Sequence, residues 1–131
     1  MSAPESETPR TVVPPRGGLM HVVDAAGYSL HGLRRLWAET AARLEILGAF
    51  VVALAFLWRG VEPWHWLIAG VLAGLVLAVE AINTAIEVLT DRVSPEWSQM
   101  AKDAKDLGSL AVGLMLVVFA GFFATVMTGL L

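Results

Sequence analysis

The chain has no cysteine, which excludes disulfide frameworks, thiolate metal sites and cysteine nucleophiles while leaving the redox compartment open. Charge is scarce as well. Only 16% of residues are Asp, Glu, Lys or Arg, and the net charge is −3. With a pI near 5.5 and no clustered Lys and Arg, the chain has no surface for a nucleic-acid backbone, so no nucleic-acid partner is expected. The usual phosphate loops are missing: there is no Gly-x-x-x-x-Gly-Lys-[Ser/Thr], no Gly-x-Gly-x-x-Gly and no kinase catalytic-loop signature, so use of ATP would require a different solution. The amino terminus does not show a charged segment, a short apolar segment and a small-residue cleavage site in succession. The first helices are therefore expected to remain in the mature protein.

What the chain has in abundance is apolar surface. Over 131 residues, 56% are hydrophobic and the mean hydropathy is +0.67, too apolar for a soluble domain of this size. Leu107–Leu131 is a run of 25 residues with no ionisable side chain, enough for one span of about 20 residues. Trp64–Leu89 is read as a second span and Leu44–Trp58 as a shorter one. The expected fold is all-α and integral to a membrane, with spans at about 44–58, 64–89 and 107–131. Before them, residues 1–18 hold Pro4, Pro9, Pro14 and Pro15 and read as a disordered tail. Residues 19–42 set Leu30, Leu33 and Trp37 against Arg34, Arg35 and Glu39, the pattern of an amphipathic surface helix. Residues 19–131 thus form one membrane domain.

Trp58, Trp64 and Trp66 flank the turn Arg59–Pro63, as interface anchors do. Eight basic residues, Arg10, Arg16, Arg34, Arg35, Arg43, Arg92, Lys102 and Lys105, lie before the first span or in the second connector, and Arg59 alone in the first. The positive-inside rule then puts the amino terminus in the cytoplasm and the carboxyl terminus outside.

Four polar residues interrupt the second span on one side. Glu80, Asn83, Glu87 and Asp91 are spaced 3, 7 and 11 apart, which at about 100° per residue keeps them in a narrow helical sector. A carboxylate at bilayer depth costs at least about 2.5 kcal/mol, so this stripe calls for cover by neighbouring helices. Oligomerisation is the simplest source of that cover, and Ala69, Gly70, Ala73 and Gly74 offer a small-residue surface for close approach.

Beyond the stripe, Lys102, Lys105, Asp106 and Ser109 share a helix face by their spacing. Carboxylate oxygens suit Mg²⁺, which is usually held by one or two carboxylates together with substrate phosphates. A lysine beside them would neutralise phosphate charge. Phosphoryl transfer requires mainly this positioning and electrostatic stabilisation. The bland alternatives are hydrogen-bonding glue between helices for Glu80, Asn83 and Glu87, a solvated first turn for Lys102–Asp106, and local ion pairs for Glu39, Arg43 and Glu45. His21, His31 and His65 are isolated and are assigned no metal role. A proton- or ion-conducting bundle using Glu80 and Glu87, or a purely structural subunit, also fits the stripe, but neither employs Lys105 and Asp106.

The segment Glu80-Ala-Ile-Asn-Thr-Ala-Ile-Glu87-Val-Leu-Thr-Asp91-Arg92, followed by Ala104-Lys105-Asp106-Leu-Gly108-Ser109, closely resembles the signature of the small bacterial membrane diacylglycerol kinases. Ala25-Ala26-Gly27-Tyr28-Ser29 with Gly32-Leu33-Arg34 resembles the diacylglycerol branch more than the related undecaprenol kinases. The likeness covers roughly residues 20–125, with the stretch from Gly32 to Glu39 one residue shorter than the family pattern. It implies a homotrimeric helical bundle in the bacterial inner membrane that transfers the γ-phosphate of MgATP to diacylglycerol, giving phosphatidic acid, with active sites shared between subunits. It further implies Glu87 as catalytic base with Asn83 as its polar neighbour, Glu80 deeper in the site, and Glu39 with Glu87 as Mg²⁺ ligands. Lys105 would contact the ATP phosphates, Asp106 the nucleotide, and Tyr28 and Ser29 would lie near it, with Asp91 and Ser109 in support. An undecaprenol kinase would share this chemistry and differ in its acceptor.

Overall fold

The structure is a computed structural model and describes residues 17–131; residues 1–16 of the expected tail lie outside the described residues. All regular structure within them is helical: α1 (Leu19–Trp37), α2 (Thr40–Arg59), α3 (Pro63–Val93) and α4 (Gln99–Thr128). The last three are long and apolar enough to cross a membrane. The chain divides into two units, one ending at His31 and one spanning Gly32–Leu131.

In the first unit Gly18 has φ +67°, and its carbonyl accepts from the His21 amide at 3.1 Å, opening α1. Leu19, Val22, Val23 and Leu30 are all exposed.

The helix expected over 19–42 stops instead at Trp37, and the next begins at Thr40 rather than Leu44. The break follows from local bonding. Ala38 and Glu39 donate to the carbonyls of Arg35 and Leu36, three residues back, which tightens the last turn. Glu39 then adopts an extended conformation at φ −76°, ψ 134°. Its carboxylate does not cap α2 but pairs with Arg35.

Gly60 ends α2 with φ +68° and ψ 43°, its amide bonding the Phe56 carbonyl at 2.9 Å. This left-handed cap favours a residue without Cβ. Pro63 then starts α3 in the first turn, where its missing N–H costs nothing. At 1.5 Å per residue, the 31 residues of α3 and the 30 of α4 run about 45 Å each, well beyond the ~30 Å hydrocarbon core of a bilayer. The excess length carries the polar ends of both helices toward the headgroups.

Between α3 and α4, the Ser94 hydroxyl bonds the Glu96 carbonyl at 3.1 Å and the Ser98 hydroxyl at 3.0 Å. Ser98 Oγ accepts from the Ala101 amide at 3.2 Å, a side-chain cap of the type that steadies helix starts. With this short connector α3 and α4 lie side by side along much of their length, and α2 packs on α3. Near the end where α2 stops, Phe56, Ala69 and Val126 form a buried cluster joined by Trp66, Phe122 and Phe123. The Phe56 ring meets Trp66 edge-on at 5.5 Å and Phe123 in a stack at 6.1 Å, both favourable aromatic geometries.

Candidate active site

The polar stripe of α3 sits toward the opposite end from this aromatic cluster. Its helical spacing places Glu80 and Asn83 against neighbouring helices, where they are 5% and 7% exposed. Glu87 is half-buried and Asp91 exposed, so the stripe climbs from the interior to the surface. Asn83 Nδ2 donates to Glu87 Oε1 at 3.1 Å, one helical turn apart. The remaining Asn83 oxygen, Oδ1, is buried without a hydrogen-bond partner.

The carboxylates of Glu39 and Glu87 lie close enough for their charges to act on Glu80, and Glu80 acts in turn on Glu45. Two helices and the α1–α2 break thus bring four acids into one region. Glu45, for which a local ion pair is the bland alternative, is half-buried with Oε2 unpartnered. It borders an apolar cavity of about 550 Å³, bounded by Leu44 and Val52 of α2, Val76 of α3 and Phe119 of α4.

Across the gap to α4, Lys105 Nζ pairs with Asp91, fastening the outer end of the stripe to the second connector. Lys102 pairs with Asp106 on the same helix, and Ser109 is exposed. The four α4 residues that share a face by spacing therefore divide: Lys105 turns to α3, while Lys102 and Asp106 satisfy each other in water. Such an exposed pair contributes little to stability. In the first unit, Tyr28 is exposed, and the Ser29 hydroxyl returns to the Ala25 carbonyl at 3.0 Å.

Among the described residues, no three His, Cys, Asp or Glu side chains converge as a metal cage. Mg²⁺ does not require one, because it takes one or two carboxylates and fills its octahedron with phosphate oxygens and water. Of the two expected ligands, Glu39 pairs with Arg35 and Glu87 accepts from Asn83; both are carboxylates of the kind that Mg²⁺ takes. The residue that sequence reasoning passed over is Gly108, quoted within the motif but given no role; its closeness to Asn83 has no periodic signal to reveal it.

The profile of the family described as prokaryotic diacylglycerol kinase matches residues 27–127. A diacylglycerol kinase of Sinorhizobium is 46% identical over 107 residues, covering 82% of this chain and 77% of the relative. That of Pseudomonas aeruginosa is 37% identical over 114 residues, 86% and 92% respectively, and that of Escherichia coli 34% over 102 residues, 77% and 84%. The fold is that of a helical protein with three membrane-capable helices, and the chain belongs to the prokaryotic diacylglycerol kinase family, a family of lipid kinases.

Proposed function

We propose that the protein is a bacterial inner-membrane enzyme that transfers the γ-phosphate of MgATP to diacylglycerol, forming phosphatidic acid. The observation that carries this reading is the Glu80–Asn83–Glu87 stripe, buried at Glu80 and Asn83 and half-buried at Glu87, which ends at the Asp91–Lys105 pair between α3 and α4. Buried carboxylates in a membrane helix are costly and mark function, and a lysine at their outer end supplies the cation that phosphate requires.

In this reading Glu87 is the general base for the lipid hydroxyl, held by Asn83. Mg²⁺ would be held by Glu39 and Glu87 with the nucleotide phosphates, and when bound it neutralises charge on the β and γ oxygens. Lys105, freed from Asp91 by a competing phosphate, contacts the nucleotide. Asp106 contacts the nucleotide, Tyr28 and Ser29 correspond to family positions near it, and Asp91 and Ser109 are supporting residues. The α1 helix lies on the cytoplasmic face. The exposed small residues Gly70 and Gly74, with open space above them, suit close contact with other copies in a homotrimer.

A second assignment of the base is favoured by burial. Glu87 is already bonded to Asn83, whereas Glu80 is the more deeply buried acid, and burial is how enzymes tune a carboxylate toward base duty near neutrality. On this assignment Glu80 takes the proton and Glu87 serves the metal alone. Glu80→Gln then removes the acid limb of the pH–rate profile, while Glu87→Gln raises the Mg²⁺ requirement; the opposite pattern assigns the base to Glu87.

The decisive experiment is transfer of labelled γ-phosphate from MgATP in mixed micelles, with diacylglycerol and undecaprenol offered side by side and Glu87→Gln as the blank. Product on diacylglycerol alone is expected. Preference for undecaprenol changes the acceptor, and no product on either lipid redirects the stripe to ion conduction, read as flux in liposomes that Glu80→Gln abolishes.

A further inference from the structure

At Gly108 the backbone of α4 stands directly against the Asn83 side chain of α3. A Cβ on that residue would stand 3.3 Å from Cγ of Asn83 and closer still to its Oδ1, whereas every other glycine inside a helix has open space at the same place. A glycine within a helix is less favourable than alanine, so its use here answers a steric demand.

Asn83 is buried, makes a single side-chain hydrogen bond, from Nδ2 to Glu87 Oε1 at 3.1 Å, and has no partner for Oδ1. One hydrogen bond leaves the amide free to rotate; the bare backbone of α4 at Gly108 is what bounds it on the other side. We infer that Gly108 is a positioning residue: by leaving room for the Asn83 amide against α4, it holds that amide where it orients the Glu87 carboxylate. This deepens the proposed reading, in which Glu87 serves the phosphoryl-transfer site, and rests on it.

A methyl at 108 cannot share space with Oδ1. Val76 and Val112, both buried, lie on the aromatic side of this point and the Asp91–Lys105 pair joins the helices on the other, so turning one amide away requires less rearrangement than separating α3 from α4. Glu87 then loses its bond to Asn83 without any change in its own identity.

The test uses the full chain carrying Gly108→Ala, Asn83→Ala, or both. Two readouts are taken: the half-activating Mg²⁺ concentration, and the ¹⁵N side-chain amide resonance of Asn83 in nucleotide-free protein. Gly108→Ala is expected to move that resonance and to raise the Mg²⁺ requirement by about tenfold, the order seen when a ligand loses its orienting partner. Asn83→Ala raises it similarly, and the double variant is no worse than Asn83→Ala alone, because the added methyl has nothing left to displace. An unmoved resonance in Gly108→Ala, or losses that multiply in the double variant, overturns the inference. Should Gly108→Ala alone fail to fold, recovery of folding on adding Asn83→Ala supports it and persistent failure overturns it. If the wild type transfers no phosphate, the functional reading fails separately, and the resonance still decides whether Gly108 sets the amide.

Discussion

The two ends of the three-helix unit are built on opposite logic. At one end Phe56, Trp66, Phe122 and Phe123 close over Ala69 and Val126, and nothing but packing is satisfied. At the other, where Glu80 is buried, the same helices α3 and α4 meet through Asn83 and Gly108 and through the Asp91–Lys105 pair. An aromatic cluster gains stability from contact area and ring geometry, and many apolar combinations would serve it. A buried Glu80, a half-buried Glu87 and an amide with an unpartnered oxygen gain nothing by comparison with apolar residues of equal size. Their retention makes sense only where a charge has work to do.

The comparison is broken most forcefully at the polar end. Glu87→Gln keeps the shape of the side chain, so turnover is expected to fall about 10³-fold, within the range for a lost general base, while thermal unfolding stays near wild type. A loss of stability with full turnover per folded molecule would make the stripe structural. Phe56→Ala reverses the pattern. Removing this fully buried ring should destabilise the protein by about 3 kcal/mol, read in a denaturation curve, with the specific activity of the folded fraction unchanged.

Smaller effects sharpen the boundary between the two ends. Ser98→Ala removes the side-chain cap of α4 and is expected to cost about 1 kcal/mol, with protection of the Ala101 amide against hydrogen exchange reporting the loss. Lys102→Met removes only the exposed pair with Asp106 and should leave the melting temperature and turnover unchanged. A large fall in turnover there would bring Lys102 into the site beside Lys105.

Much of the polar end is legible in the sequence. The spacings of Glu80, Asn83, Glu87 and Asp91 place them on one face because helical periodicity is local and survives in any environment. The turn at Gly60–Pro63 follows from the same kind of local chemistry, a left-handed glycine cap followed by a first-turn proline. Less legible was the break at Ala38–Glu39: Glu39 has no strong helix-stopping character, and its turn toward Arg35 depends on where the following apolar helix begins. Spacing alone also could not divide Lys102 from Lys105. Both occupy the same face of α4, and only the position of Asp91 on another helix draws one of them away.

By itself the sequence determined the helical class, the three membrane-capable segments and the acid face of α3, since hydropathy and periodicity are properties of consecutive residues. The tertiary structure alone decided that Glu45 turns its unpartnered oxygen inward beside an apolar cavity, that Lys105 and not Lys102 reaches α3, and that Asn83 lies against Gly108. Each of those depends on the distance between residues on different helices, and that distance is set by packing rather than by order along the chain.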